Sequence, residues 1–219
     1  MKVLSLDIGI NNLSYCILSY ENENYNIQGW DVLNVNPYED TNKEISEINK
    51  QTDKDNKKMV KDEGEDVKLK KKKLKKKPTL NELSDKIIGT FDAKSEFLEC
   101  DYVIIENQPC MKNPTMKSIQ MIVYSYFYIR GITDNKSEVI KDIVFISAGN
   151  KLKVYDGPPI EITVKSRYTR NKKLGIAHTR YLLKNHEEYL SFFELHKKKD
   201  DLADAFLQAA YFIHKRLKL

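Results

Sequence analysis

Apolar positions recur along this chain with two periods, first strand-like and then mixed with helical spacing. Met1 to Asp7, Leu13 to Tyr20 and Tyr25 to Val35 are short apolar-rich stretches divided by turns at Gly9, Asn11 and Asn12 and at Asn22 to Asn24, which predicts a three-stranded meander. From Thr79 the spacing lengthens: Leu80, Leu83, Ile87, Ile88 and Phe91 share a helix face, and Thr79 with Glu82 forms a capping-box pattern. Asp101 to Glu106 (DYVIIE) predicts a buried strand, and Pro109 and Pro114 break the chain before a helix over Thr115 to Arg130, along which Met116, Ile119, Val123, Tyr126 and Phe127 recur. Asp142 to Ser147 (DIVFIS) predicts a fifth strand. A helix at about Leu174 to Tyr189 and a Phe-rich connection lead to a closing helix, Lys197 to Lys215, with a wide apolar face of Leu202, Ala203, Ala205, Phe206, Ala209, Ala210, Phe212 and Ile213. Strands first paired in a meander and then alternating with helices predict an α/β fold, a mixed five-stranded sheet flanked by helices.

The pattern lapses between about residues 36 and 77. That stretch is polar and too poor in large apolar residues to offset its chain entropy, so it reads as a disordered insertion in a single domain. Lys68 to Lys77 (KLKKKKLKKK) holds eight lysines. Taking those eight charges from the net +5 leaves the rest of the chain at −3, so the basic character is local. Attachment to a polyanion such as nucleic acid, nuclear import, and a merely solvated tract all fit such a run.

Composition narrows the class further. No apolar run approaches a membrane span, and no signal-peptide signature precedes the first strand, so the expectation is a soluble intracellular protein without a membrane partner. Cys16, Cys100 and Cys110 lack zinc-type spacing and read as buried free thiols. His178, His186, His196 and His214 share no spacing with cysteines or acids, which argues against a histidine metal site and places His178 on a helix surface.

Four acids have a common logic. Asp7 and Glu106 each close an apolar strand, and strand carboxyl ends are where ligand chemistry gathers in such sheets. Asp201 and Asp204 lie three residues apart on one edge of the apolar stripe of the closing helix. For that helix alone, complementing the macrodipole is explanation enough, with Asp200 as an N-cap. Together the four suit a hard divalent cation, which takes oxygen ligands; a pair of ions about 3.5 to 4 Å apart can activate water and stabilise the leaving oxygen of a phosphodiester.

MKVLSLDIGINNLSY, VIIENQP and DDLADAFLQAA resemble the RuvC-like branch of the RNase H-like nucleases, and more closely the poxvirus Holliday junction resolvases, over most of the chain outside the Lys-rich insertion. That resemblance implies an RNase H-like fold, a homodimer, and metal-dependent paired nicking of four-way DNA junctions. It implies catalytic and metal-binding roles for Asp7, Glu106, Asp201 and Asp204, with Mg²⁺ as cofactor, two ions per site, and Mn²⁺ able to substitute. Asp7 is expected to bridge both ions. A basic residue assists in this family, and Lys151, Lys153, Lys172 and Lys173 are its candidates. The resemblance also points to a viral cytoplasmic replication site.

Lys151, Lys153, Lys165, Arg167, Arg170, Lys172 and Lys173, interleaved with Tyr155 and Tyr168, form a basic stretch suited to phosphates and exposed bases, or else a solvated loop. The helix over Thr115 to Arg130 suits a core or a dimer interface. Competing readings are a nuclease acting on flaps or other branched DNA with the same acids, and a noncatalytic DNA-binding module using the lysine run. An actin-like ATPase fits poorly, because no second glycine-rich phosphate turn is present.

Overall fold

The computed structural model describes residues 1–22, 24–38, 77–111, 113–134 and 139–217. The expected insertion, including Lys68 to Lys76, therefore lies almost wholly outside the described residues. Five strands form one sheet in the order β3-β2-β1-β4-β5: β1 (Lys2–Asp7), β2 (Asn12–Glu21), β3 (Asn24–Asn34), β4 (Tyr102–Glu106) and β5 (Asp142–Ile146). The first three pair antiparallel, while β1, β4 and β5 run parallel, as a mixed sheet requires. The β1–β2 turn depends on Gly9, whose place a Cβ could not fill without approaching the Asn12 carbonyl oxygen to 2.0 Å.

Helices cover both faces. On one lie α1 (Leu80–Asp92), capped by Thr79 and Glu82 as its sequence predicts, and α2 (Pro114–Tyr126), capped by Asn113. After Tyr126 the chain continues as a wider π-helical segment, Phe127–Thr133, where α-helical spacing had been expected to run to Arg130. Leu4, Leu6, Val103 and Ile105 of the strands meet Leu83, Ile87, Phe91, Ile119 and Phe127 in a wholly apolar layer.

On the other face lie α3 (Arg167–Leu182), α4 (Glu187–Leu195) and α5 (Lys199–Leu217). Two expectations need correction here. The basic stretch is not a loop to Lys173: Ser166 caps Thr169 N–H and starts α3 at Arg167, so the helix begins seven residues earlier than its apolar spacing suggests. The Phe-rich connection is itself helix α4, whose Phe193 stacks on Trp30. Alanines 203, 205, 209 and 210 of α5 are fully buried, and their small side chains let the helix lie close against β1, β2 and β4.

Candidate active site

Register places the first two acids. β1 and β4 align Leu6 with Ile105, so the next residue of each, Asp7 and Glu106, ends its strand beside the other. Alternation then fixes their face: Leu4, Leu6 and Ile105 point into the apolar layer, leaving Asp7 and Glu106 on the α5 side with Val3, Ser5 and Ile104. α5 brings Asp204 to the same place. From β5 the chain enters a 3₁₀ segment, Ala148–Val154, which carries Lys151 in.

The Lys151 ammonium sits at the centre. Its Nζ lies 3.1 Å from Glu106 Oε2 and 2.7 Å from Asp204 Oδ2, and all three side chains are mostly buried. Burial alone would lower its pKa, but the charges of Asp7, Asp204 and Glu106 outweigh this and hold it above the usual lysine range. Asp7 is pushed well above the usual carboxyl range, first by burial and then by Glu106, with which it shares a hydrogen bond. Burial also raises Asp204, against the opposing pull of Lys151. Asp201, half-buried, is raised by burial and by its neighbour Asp200.

Asp7, Glu106, Asp201 and Asp204 line one cavity of about 350 Å³, together with Gln108, Met116, Lys151, Tyr168, Asn171 and Lys172. A second hollow of about 340 Å³, lined by Gly9, Asn11, Asn12, Ser14 and Lys198, shares Asp7 and Asp201 with the first. Asp7 and Asp201 thus stand on a ridge between the two recesses, while Glu106 and Asp204 face the first alone. A shallower groove of about 910 Å³, along Ile160 to Lys165 with Arg170 and Asn171, adjoins at Asn171.

The basic candidates separate on these contacts. Lys151 is among the acids, and Lys172 lines the cavity, pairing with Asp200 and lying 5.1 Å from the Tyr168 ring centre. Burial would lower Lys172, but the Asp200 hydrogen bond raises it above its usual range. Lys153 turns away to Asn150, and Lys173 and Arg167 are exposed and line neither recess. Lys165 and Arg170 line the shallow groove.

Other expectations are corrected. Asp200 lies within the first turn of α5 and not at its N-cap. His178 is buried, its ring stacked 4.0 Å from that of Tyr155, because the inner face of α3 is built from Gly175, His178 and Thr179. Tyr155 is therefore committed to the protein, its hydroxyl donating to the Pro158 carbonyl, while Tyr168 stays exposed. Cys16 and Cys100 are buried and their thiols are pushed up by burial, Cys100 to about 12, but Cys110 is exposed.

Around Glu106, Gln108 Nε2 lies 3.4 Å from Oε1, and buried Gln120 of α2 accepts the Gln108 backbone N–H at 2.8 Å. Asn107 accepts from Lys117 at 3.1 Å. Gln120 went unnoticed, although a glutamine within the apolar stripe of a helix is a visible signal.

As positioned, no three His, Cys, Asp or Glu side chains among the described residues converge on one metal position. The donor chemistry nevertheless suits a hard cation: the set is all oxygen, Asp7 is crowded against Glu106, and a positive charge already stands among the acids in Lys151.

Residues 3–110 match the family model described as "Mitochondrial resolvase Ydc2 / RNA splicing MRS1". An uncharacterized protein, L451, of Acanthamoeba polyphaga mimivirus is 40% identical in an alignment of 149 residues that covers 64% of this chain and 36% of that protein. Among solved structures, the yeast mitochondrial Holliday junction resolvase Ydc2 is similar with a TM-score of 0.53 at 17% identity, covering 98% of this chain and 83% of that one. The fowlpox virus resolvase, solved with Holliday junction DNA, gives 0.54 at 16% identity over 99% of each chain. RuvC of Thermus thermophilus gives 0.55 at 10% identity over 100% and 97%. At these identities the three structures establish the RNase H-like fold.

Proposed function

We propose that this chain, whose residues 3–110 carry the Ydc2 resolvase domain within an RNase H-like fold, is an endodeoxyribonuclease that resolves four-way DNA junctions by paired nicks. The observation that carries the reading is the acid cluster itself. Glu106 and Asp204 pair with one lysine beside the charge of Asp7, and two recesses that share Asp7 and Asp201 open where a phosphodiester strand could enter and leave.

Asp7, Glu106, Asp201 and Asp204 would hold Mg²⁺, two ions per site, with Mn²⁺ able to replace it. When bound, these ions supply a hydroxide drawn from water and charge for the leaving oxygen. Asp7 lies on the central strand and faces both recesses, which supports a role for it in holding the metal. Gln108 and Gln120 hold the end of β4 and keep Glu106 oriented. Lys151 is the assisting base of the four candidates: it balances the acids at rest and can turn its ammonium to a non-bridging phosphate oxygen as charge builds there. Lys172 and Tyr168 guide the strand at the cavity rim, and Lys165, Arg167, Arg170 and Lys173 contact phosphates further out.

A homodimer suits the exposed apolar side chains Met121, Tyr128, Ile129 and Ile132, of which Met121 and Ile129 border a hollow of about 350 Å³ between α1 and α2. Two-fold symmetry would then offer two sites to a junction of matching symmetry. No helix among the described residues is long and apolar enough to cross a membrane. The mimivirus relative supports a viral protein acting where viral DNA is replicated.

The family description also names RNA splicing, so a noncatalytic nucleic-acid-binding role is the second reading. Cleavage of a labelled four-way junction separates the two, run beside linear duplex, flap and RNA controls, with Mg²⁺ or EDTA. Symmetric nicks that need metal and disappear in Asp7→Asn are expected, with the controls intact. Equal cutting of flaps would replace the proposal with a general branched-DNA nuclease, and tight binding without cleavage under either metal would overturn it.

A further inference from the structure

α5 is fixed to the sheet by hydrogen bonds as well as by apolar contact, and the deepest of them involves a residue with no role in the chemistry above. Gln208 is 1% exposed and lies one helical turn after Asp204, on the same side of α5. Its Nε2 is 3.1 Å from Ser5 Oγ, 3.2 Å from the Leu6 carbonyl oxygen and 3.5 Å from the Ile104 carbonyl oxygen. Leu6 immediately precedes Asp7 on β1, and Ile104 lies two residues before Glu106 on β4. One amide therefore touches both acid-bearing strands from the acid-bearing helix.

The direction of that amide is fixed by chemistry. Carbonyl oxygens only accept, so the nitrogen must face them, and the two N–H groups have two close acceptors in Ser5 and Leu6. Packing does not call for an amide at this position. Its neighbours along the stripe are Ala205, Ala209 and Phe212, and an unbranched apolar side chain would fill the same space without burying polar atoms. The start of the helix is held separately, Ser14 Oγ donating to the Asp201 carbonyl at 2.7 Å and Trp30 Nε1 to the Leu202 carbonyl at 2.9 Å. Those bonds tie the start of α5 to β2 and β3, whereas Gln208 reaches β1 and β4.

We propose that Gln208 is a positioning residue, which sets the depth and rotation of α5 over β1 and β4 and so places Asp204 against Asp7, Glu106 and Lys151. The inference rests on the nuclease reading above. A carboxylate displaced by even about 1 Å from its working place can lower a rate on the order of a hundredfold, which is ample reason to bury an amide here.

The test compares wild type with Gln208→Met, which keeps length and flexibility and deletes both donors. Single-turnover junction cleavage is followed against Mg²⁺ concentration, with junction affinity in EDTA and thermal melting measured on the same preparations. The expected result is a cleavage rate lower by about tenfold to a hundredfold and a higher Mg²⁺ requirement, with junction affinity unchanged and melting lowered by no more than a few degrees. Equal cleavage and equal Mg²⁺ dependence would reduce Gln208 to a packing residue and overturn the proposal. A fall in rate, affinity and melting together would also overturn it, since general loosening then explains everything. Should Gln208→Met fail to fold, Gln208→Asn, which keeps an amide one methylene too short to reach the strands, must show the same selective loss. A wild-type protein that cleaves nothing removes the nuclease reading and this inference with it, whereas an active wild type matched by Gln208→Met removes this inference alone.

Discussion

The two faces of the sheet are built by different rules. Beneath α1 and α2 the contacts are aromatic and aliphatic, with Phe91 meeting the rings of Phe97, Tyr126 and Phe127. Beneath α5 buried alanines alternate with Phe206, Leu207 and Phe212, and polar fixed points are added to that apolar packing: Ser14, Trp30 and Gln208 each hydrogen-bond between helix and sheet. Apolar burial is non-directional and rewards area, while a hydrogen bond fails within a few tenths of an ångström. Both faces supply stability, and the α5 face adds most of the directional contacts that fix placement, with Gln120 of α2 contributing at the end of β4.

The sharpest way to break this comparison is to damage the first face and look for an effect on the second. Phe91→Ala should cost about 3 to 5 kcal/mol by opening a cavity among fully packed rings. Denaturant titration reads that loss. Cleavage per folded molecule should stay at the wild-type level under conditions where the variant remains folded, and a matching fall in the cleavage rate would show the two faces to be coupled.

Lys151→Met attacks the second face at its centre. It leaves Glu106 and Asp204 without the ammonium that sits 3.1 and 2.7 Å away, and a broken buried pair costs about 3 kcal/mol. The cost should be greatest where the carboxyls are ionised. It should shrink as pH falls through the raised pKa of Asp204, because protonation removes an unpaired charge. Added Mg²⁺ should offset it too, if the acids hold that ion. Melting curves at neutral and acidic pH, with and without Mg²⁺, check all three statements.

How much of this was legible before the structure depends on the kind of signal. Asp7 and Glu106 announce themselves by closing apolar strands, and Asp201 and Asp204 by their spacing on an amphipathic helix; the mixed sheet and its cover of helices follow from the same periodicity. What the sequence could not show was depth. α3 reads as starting at Leu174 because its first two turns are polar, and only the Ser166 cap marks the true start. His178 reads as a surface residue because nothing local reveals Tyr155 stacking over it. Lys151, Lys153, Lys172 and Lys173 are equivalent as letters and separate only when the 3₁₀ turn after β5 aims one of them inward. Gln208 and Gln120 did carry a signal, since each is an amide set in an apolar stripe.

Asp7→Asn tests whether the second face sacrifices stability for chemistry. The Asp7 carboxyl holds its proton more tightly in the folded than in the unfolded chain, whose value is near 3.8. Folding therefore takes up a proton between those two values, and stability falls as pH rises through that window. Asparagine cannot ionise, and its amide can donate to Glu106. The variant should melt a few degrees higher than wild type at neutral pH, and the difference should vanish below the unfolded value, where Asp7 is protonated in both states. A variant that melts lower at neutral pH would mean that Asp7 is stabilised by its surroundings, contrary to its burial beside Glu106.

The smallest effect expected comes from Ser14→Ala. It deletes one hydrogen bond, 2.7 Å long, from β2 to the Asp201 carbonyl, while that carbonyl can still accept within the helix. About 1 kcal/mol or less should be lost, a shift close to the limit of a melting experiment. Cleavage is the better reporter, because the bond's partner is the backbone of an acid on the ridge. If placement is the work of this face, the rate should fall by more than the stability loss accounts for, and the excess should be smaller than in Gln208→Met, since Ser14 touches one strand and Gln208 two. A Ser14→Ala protein with wild-type cleavage and a measurable loss of stability would assign Ser14 to the first rule and leave Gln208 and Trp30 to hold α5 in place.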